Sequence, residues 1–395
     1  MNSTECAIFT PLTNFSFFMN RTTASTALNK FLLFFVALWS LTTSAQLLPL
    51  TPKTTVSVLT CATGNESYSL FGHTALRISD PSQALDVVYN YGAFDFSTPN
   101  FVAKFAKGDL QYFVVAHSYL DFISQYQYEG RSVYEQKLRI ALPLKQHLFD
   151  QLNSTLQSED RFYTYKFIDK NCTTMVVDLL NEALGTKVIT KTKATESTYR
   201  SVLFPYFDHH FYEQLGTSII FGTKVDEKAT TLFLPFDLLE SLKIAKYKNK
   251  SLSEPIVSLL TVTPTTPHSW WNNAYTYGAF LLLLVFWKKR SIALVFLIVM
   301  GVLGLFFLFM GWYSFHPELT NNYNVLLFNP TLLLLVFFVL QKNKKVTKWL
   351  TYFTWGCFLI YTILLINKAP FWFLLPLTGV TSFIVYRINK EIHQS

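Results

Sequence analysis

The apolar residues of this chain fall into long uninterrupted runs near its end and into shorter, periodic segments in its middle. The long runs predict five membrane-spanning helices, near residues 272–287, 291–312, 324–341, 349–367 and 370–386. Each run is long enough, or nearly so, to cross a hydrocarbon core with modest tilt. We therefore predict an all-α, five-helix transmembrane region over residues 266–395.

A further apolar run, Phe31–Leu41, stands alone near the beginning of the chain. It lies between a lysine and the small and polar residues Thr42–Gln46, a pattern typical of a signal peptide. Residues 28–45 are predicted to be this signal, with cleavage after Ala45, and residues 1–27 an N-terminal extension. An uncleaved anchor helix is the alternative interpretation of the run.

The predicted orientation rests on the charged residues between the spans. One side of the membrane receives nine Lys and Arg residues: Lys288, Lys289, Arg290, Lys342, Lys344, Lys345, Lys348, Arg387 and Lys390. The short loops of the other side carry only Lys368. Because positive loops favour the cytoplasm, we predict a cytoplasmic C-terminus and an exported domain before the first span. With Glu391, these cations give the same net charge, +8, as the whole chain, so the basic balance reflects topology and indicates no nucleic-acid partner.

Residues 46–265 form one predicted exported domain, in which strand-like and helix-like periodicities follow one another. The predicted strands are Thr55–Thr60, Tyr68–Ile78, Asp86–Tyr91, Gln111–Ala116 and Ser132–Ala141. The predicted helices are Phe101–Lys107, Tyr119–Tyr128, Leu144–Leu156 and a segment that begins at Cys172 and ends at Gly185. The pattern therefore predicts an α+β fold with paired antiparallel strands.

Cys172 and His73 carry the candidate chemistry. Cys172 follows Asn171, a good N-cap, and opens an apolar helix, where free N–H groups and the helix dipole stabilise a thiolate. His73 follows Gly72 on a predicted strand and would act as the base of a nucleophile–base pair. The alternatives are an inert buried cysteine and a satisfied core histidine. A thiol site held against a bilayer suggests acyl chemistry on lipid.

Four further residues are candidates for supporting roles. Tyr89 or Asn90, on the strand beside His73, fits the position of a group that orients the imidazole, with cross-strand packing as the alternative for Tyr89. Arg131 is a candidate for holding a phosphate or carboxylate, with a surface ion pair as its alternative. His316, in a polar loop between two predicted spans, is a candidate for the acyl-chain entrance, against an ordinary turn.

The other cysteine of the exported domain, Cys61, is expected to be structural. In an oxidising compartment Cys61 and Cys172 offer a disulfide as the alternative to a free catalytic thiol. The histidines show no metal-ligand spacing, so we expect neither a metal nor an organic cofactor.

The order of these motifs is a histidine strand, then further strands, then a cysteine helix. Papain-like enzymes usually place the cysteine first. The order here resembles a circularly permuted, NlpC-type papain-like group that includes lecithin retinol acyltransferase, in which an early histidine strand precedes an Asn-Cys helix start such as Asn171-Cys172. The resemblance implies a permuted papain-like fold for the exported domain.

A closer resemblance rests on several short blocks in a fixed order. They are Ser69–Ala75, Tyr89–Phe96, Gly130–Gln136, Tyr163–Thr174 and Leu234-Pro235. Together they are similar to the Lnb-type periplasmic domain family of Bacteroidetes, whose characterised activity is lipoprotein N-acylation. The resemblance implies a Cys172–His73 pair in a multi-pass protein of the bacterial inner membrane, with the catalytic domain in the periplasm.

The resemblance also implies the reaction and its partners. A phospholipid would donate an acyl chain to Cys172, and the α-amino group of a lipidated N-terminal cysteine of a lipoprotein would accept it. Two other classes of function remain open. A membrane-anchored papain-like peptidase or amidase acting on cell-wall peptides would use the same pair, and a non-catalytic membrane chaperone would need neither residue.

Overall fold

The computed structural model describes residues 48–263 and 269–394. An α+β domain occupies the first range, and apolar helices occupy most of the second. The predicted extension, residues 1–27, and the predicted signal peptide, residues 28–45, lie outside the described residues.

A seven-stranded antiparallel sheet forms the centre of the α+β domain. The strands are β1 Thr55–Cys61, β2 His73–Asp80, β3 Leu85–Ala93, β4 Gln111–Ser118, β5 Val133–Lys137, β6 Phe162–Thr164, β7 Lys246–Tyr247, β8 Lys250–Ser251 and β9 Val257–Leu260. Strands β7 and β8 pair apart from the sheet, whose order is β6-β4-β3-β2-β1-β5-β9. The long central strands β1, β2 and β3 are therefore neighbours, and the start of β2 lies at the middle of the sheet.

Helices cover both faces of this sheet. They are α1 Phe101–Lys107, α2 Tyr119–Tyr128, α3 Leu142–Gln157, α4 Cys172–Leu184, α5 Tyr199–Leu203, α6 Phe211–Ile220 and α7 Pro235–Ile244. Phe122 and Tyr126 of α2 pack with Leu59, Ala75 and Val88 on one face. Helices α3, α4 and α7 contact the sheet through the alternate residues, so the central strands are buried on both sides.

Strand β2 begins five residues later than the sequence predicts. The predicted strand starts at Tyr68, but residues 68–71 form turns, and Gly72 has a φ of 79°. A Cβ atom at this position would lie 2.6 Å from the carbonyl oxygen of Cys61, which only a glycine avoids. This close approach starts the β1–β2 pairing, with His73 directly opposite Cys61.

The apolar helices of the second part are α8 Ala274–Phe286, α9 Arg290–Tyr313, α10 Thr331–Leu340, α11 Lys344–Leu365 and α12 Phe371–Gln394. Within the described residues, three segments are long and apolar enough to cross a membrane: Arg290–Tyr313, Pro317–Leu340 and Phe371–Gln394. All five predicted runs coincide with helical segments, but a five-span count stays a prediction.

One predicted span, residues 324–341, is not a continuous helix. Two 3₁₀ turns, Pro317–Leu319 and Tyr323–Leu326, precede α10, which starts only after Pro330. Proline lacks an N–H donor and restricts the residue before it, so each proline interrupts the helical pattern.

A buried asparagine from this broken segment joins the apolar helices to the α+β domain. The Nδ2 atom of Asn324 lies 3.1 Å from the carbonyl oxygens of both Ser218 and Ile219, in the last turn of α6. The Tyr361 hydroxyl of α11 donates to Asn324 Oδ1 over 2.8 Å. Carbonyls at the end of a helix lack intrahelical partners, and here a side chain of the apolar region satisfies them.

An ion pair forms a second junction. Lys368, in the loop between α11 and α12, donates to Asp226 Oδ2 over 2.6 Å, and Arg200 Nε donates to Asp226 Oδ1 over 2.7 Å. Burial opposes ionisation of Asp226, but the hydrogen bonds and charges of Arg200 and Lys368 hold the pKa of its carboxyl below the ordinary value. The loop that carries Lys368, assigned to the exported side by charge, thus contacts the α+β domain.

Candidate active site

Asn171 fixes the beginning of helix α4. Its Oδ1 atom accepts from the N–H groups of Thr173 at 2.9 Å and Thr174 at 3.1 Å, and the Asn171 N–H donates to Thr174 Oγ1 over 2.8 Å. This reciprocal arrangement is a capping box. Cys172 is therefore the first helical residue, and its own N–H is the helix-terminal donor that the Asn171 side chain does not engage.

The Cys172 thiol is half-buried next to the first residues of β2. The hydroxyls of Thr74 and Thr173 lie 3.0 Å apart and hold α4 against the strand. Burial alone would raise the pKa of the thiol. The charge of His73 and its hydrogen bond, followed by the Thr74 N–H and the Thr173 hydroxyl, lower the pKa of Cys172 below the ordinary value. The arrangement favours a thiolate–imidazolium pair.

Asn90 is the residue that contacts the His73 ring. Its Oδ1 atom lies 3.2 Å from His73 Nε2, and its Nδ2 atom lies 3.4 Å from the Val88 carbonyl oxygen and 3.4 Å from His117 Nδ1. Because a carbonyl can only accept, the nitrogen of the Asn90 amide faces Val88 and the oxygen faces His73. His73 Nε2 then carries the hydrogen, which leaves Nδ1 as the ring nitrogen that is able to accept a proton.

The structure separates the two candidates for the third position. Tyr89 and Asn90 are neighbours on β3, so their side chains point to opposite faces of the sheet. The Tyr89 hydroxyl donates to Asn153 Oδ1 on α3 over 3.3 Å, and the ring is 1% exposed. The packing alternative thus describes Tyr89, and only Asn90 of the pair is within hydrogen-bond distance of His73.

Cys61 is a buried free thiol in the core. It faces His73 across the β1–β2 ladder, and its sulfur is not joined to Cys172. Burial raises the pKa of the Cys61 thiol to about 12. At neutral pH Cys61 is therefore protonated and poorly nucleophilic, in contrast to Cys172.

Arg131 is engaged by groups of the fold. Its Nε donates to the Ala62 carbonyl oxygen over 2.8 Å, its Nη1 pairs with Glu129 Oε2 at 2.6 Å, and its guanidinium lies over the Tyr126 ring. The residue is 6% exposed. These contacts favour the ion-pair alternative over substrate binding. That alternative is a pair on the surface, whereas the observed pair of Arg131 and Glu129 is largely buried.

His316 lies in the loop after α9 and contacts α1. Its Nε2 atom is 2.9 Å from the Phe105 carbonyl oxygen, and its ring packs against Gly108. The adjacent Phe315 N–H donates to the Lys107 carbonyl oxygen over 2.7 Å. His316 therefore forms a contact between the apolar region and the α+β domain, which an ordinary turn would not do.

Tyr163 is a further candidate beside Cys172, and in the sequence it stands out only as the first residue of the Tyr163–Thr174 block. Its hydroxyl is buried and has no hydrogen-bond partner within the described ranges. A Cβ atom placed on Gly92 would lie 3.9 Å from both the Tyr163 hydroxyl and Cys172 Cβ, so the two groups flank the same glycine. Burial and the neighbouring Cys172 raise the pKa of Tyr163, which keeps its O–H as a donor. The two tyrosines at alternate positions at the start of this block, Tyr163 and Tyr165, are the signal that the sequence offers for this residue.

Two other features lie outside this group of residues. A cleft of about 580 Å³ lies between residues 204–214 and 269–274, and neither Cys172 nor His73 lines it. In the part of the chain that the structure describes, no three His, Cys, Asp or Glu side chains are grouped as metal ligands.

The fold and the site define a membrane protein with an α+β domain that presents a cysteine, a histidine and an asparagine together. Comparison with known families matches residues 48–204 to the Lnb N-terminal periplasmic domain and residues 260–389 to the Lnb transmembrane domain. The chain belongs to the Lnb family, as the sequence blocks predict. Searches of curated proteins and of solved structures gave no match.

Proposed function

We propose that this protein is a thiol-dependent lipoprotein N-acyltransferase with a permuted papain-like periplasmic domain. The observation that carries the proposal is the Cys172 thiol at a helix start, with its pKa lowered by His73, in a domain bonded to apolar helices. The chain order of β2 before α4 agrees with a permuted papain-like arrangement. A five-helix anchor in the inner membrane, with a cytoplasmic C-terminus, completes the proposal.

In the first half-reaction His73 Nδ1 takes the Cys172 proton, and the thiolate attacks the ester carbonyl of a phospholipid. The carbon–oxygen bond breaks, the imidazolium returns the proton to the leaving oxygen, and a lysophospholipid departs. Cys172 then holds the acyl chain as a thioester. Asn90 keeps the imidazole in the tautomer that this transfer requires.

In the second half-reaction the α-amine of a lipoprotein attacks the thioester. The carbon–sulfur bond breaks as the amide bond forms, and His73 passes the amine proton to the departing thiolate. The thiol is regenerated, so each cycle is balanced without an added cofactor.

Both half-reactions develop negative charge on the acyl oxygen. The Cys172 N–H at the start of α4 is one suitable donor, since Asn171 engages the next two N–H groups. The unpartnered Tyr163 hydroxyl, across Gly92, is a second. Donors fixed in a partly buried site stabilise an oxyanion without reorganisation.

A peptidase or amidase would use the same Cys172, His73 and Asn90. It would gain nothing from the two junctions between the α+β domain and the apolar region, which are formed by Asn324 and by the ion pair of Lys368 with Asp226. These junctions support a membrane-derived substrate. A non-catalytic chaperone would not need a thiol with a lowered pKa.

Mass spectrometry of lipoprotein N-termini tests the proposal. Cells with the wild-type protein should yield N-acylated lipoproteins, and cells with Cys172→Ala should yield free α-amines at equal protein abundance. Cys61→Ala is the matched control, because it removes the other thiol of the domain and should retain acylation. Acylated termini in the Cys172→Ala cells would overturn the proposal, whatever the Cys61→Ala cells yield.

A further inference from the structure

An exposed apolar patch extends from helix α1 to the outer end of α9. We define this α1 patch by Phe96, Val102, Phe105, Trp312 and Phe315, which are 72%, 77%, 47%, 83% and 59% exposed, respectively. Contiguous exposed apolar residues of this size are uncommon on a soluble domain and mark a surface that contacts something apolar.

Hydrogen bonds hold the two parts of the α1 patch together. The Phe315 N–H donates to the Lys107 carbonyl oxygen over 2.7 Å, and the Ser314 hydroxyl donates to the Ala106 carbonyl oxygen over 2.8 Å. The last carbonyls of α1 are thus bonded to the residues that follow α9. The position of α1 relative to the outer end of α9 is therefore fixed by the fold.

The patch continues into the side of α9 that a bilayer would cover. Leu305, Phe306, Leu308 and Phe309, one to two turns before Trp312, are also exposed and apolar. Helix α9 is long and apolar enough to cross a membrane. Tryptophan and tyrosine are typical of the level where a helix leaves the hydrocarbon core, and Trp312 and Tyr313 occupy that position.

The polar neighbours of the patch suit a lipid surface. Lys104 is exposed on α1, between Val102 and Phe105. An apolar face beside a lysine is typical of short segments that lie in the interface of an anionic membrane. Long lysine side chains bury their alkyl stems among apolar groups while the ammonium reaches the phosphate level.

Aromatic side chains connect the patch to the candidate site. Ring centroids lie 6.4 Å apart for Tyr163 and Tyr112, 5.2 Å for Tyr112 and Phe94, and 4.9 Å for Phe94 and Phe96. Tyr163 flanks Gly92 together with Cys172. The patch is therefore the outer end of an apolar series that begins beside the thiol.

We propose that the α1 patch is inserted into the outer leaflet of the bilayer that holds α9, and that its ligand is the phospholipid surface itself. The contact places the α+β domain on the membrane through its own helix, in addition to the transmembrane anchor. It is independent of the reaction at Cys172, so it stands or falls separately from the proposed function.

Photocrosslinking of the full-length protein in vesicles of phosphatidylethanolamine and phosphatidylglycerol tests this proposal. Val102→p-benzoylphenylalanine places a probe on the patch, and Leu308→p-benzoylphenylalanine places one on the lipid-facing side of α9. Leu120→p-benzoylphenylalanine is the matched control, because Leu120 is 75% exposed on α2, beyond the far end of β4. Strand β4 has eight residues, which separates its ends by about 25 Å.

We expect phospholipid adducts at position 102 in a yield comparable to position 308 and several-fold above position 120. The same result is expected in a Cys172→Ala background, since the contact needs no catalysis. Adducts at position 102 no more frequent than at position 120 would overturn the proposal. So would crosslinks from position 102 to protein in place of lipid, which would indicate that a macromolecular partner covers the patch.

Discussion

His73 Nε2 lies 3.2 Å from Asn90 Oδ1, and this contact determines which nitrogen of the imidazole is free to act as a base. The Val88 carbonyl orients the Asn90 amide, the amide oxygen retains the hydrogen on Nε2, and Nδ1 is left free to accept a proton. A backbone carbonyl of β3 thus sets the tautomer of His73 through a single side chain.

The first prediction concerns the pair formed by His73 and Cys172. His73→Ala should slow alkylation of Cys172 by iodoacetamide at neutral pH, because the imidazolium that stabilises the thiolate is lost. The thiol pKa is lowered in the folded protein, so wild-type alkylation should rise at a lower pH than for a free cysteine, whose pKa is about 8.5. In His73→Ala this rise should move to higher pH.

Cys61 is the internal control for that measurement. Its thiol is buried and has a pKa raised to about 12, so it should remain unlabelled in both proteins while they are folded. An identical alkylation pH profile for Cys172 in the wild-type protein and His73→Ala would show that the two residues are not coupled.

The second prediction separates Asn90 from Tyr89. Asn90→Ala should lower kcat by tenfold or more, on the order of magnitude expected when a catalytic imidazole loses its orienting partner. Tyr89→Phe removes only the hydrogen bond to Asn153, which costs about 1 kcal/mol of stability, and should leave kcat unchanged. Equal losses of kcat in the two variants would contradict the assignment of Asn90.

The third prediction concerns the Tyr163 hydroxyl. If it stabilises the acyl oxyanion, Tyr163→Phe should lower kcat by about a hundredfold. The alkylation rate of Cys172 should not change, because alkylation by iodoacetamide does not form a tetrahedral oxyanion. A fall in alkylation equal to the fall in kcat would instead indicate that Tyr163 only supports the packing around the thiol.

The fourth prediction concerns orientation. A reporter fused after Ser395 should be active in the cytoplasm, because the lysine-rich loops lie at that end of the helices. A reporter inserted near Thr265 should be active in the periplasm. Both reporters on the same side would rule out an odd number of spans, and with it the five-helix anchor.

The sequence predicts much of the fold because the local signals are strong. The predicted bounds of Phe101–Lys107 and Tyr119–Tyr128 coincide with α1 and α2, and Asn171 caps α4 as its residue type indicates. Gly108 and Gly185 end their helices with positive φ angles, which glycine adopts without strain. Such caps depend on a few adjacent residues, so they can be read from the chain alone.

The candidate site was less predictable because its decisive features depend on distant residues. The choice between Tyr89 and Asn90 depends on the sheet face that each occupies, which the β2–β3 register fixes. The roles of Arg131 and Tyr163 depend on which groups the fold brings beside them. The start of β2 depends on the carbonyl of Cys61, which approaches Gly72 across the β1–β2 pair.

Direct detection of an acyl chain on Cys172 tests the central claim. The purified full-length protein would be incubated with phospholipid vesicles without a lipoprotein acceptor, digested and examined by mass spectrometry. We predict a hydroxylamine-sensitive acyl group on the peptide that contains Cys172, its removal on addition of a lipoprotein with a free α-amine, and its absence in Cys172→Ala. Lipoprotein acylation by Cys172→Ala at the wild-type rate, with no acyl group on the wild-type peptide, would contradict the account.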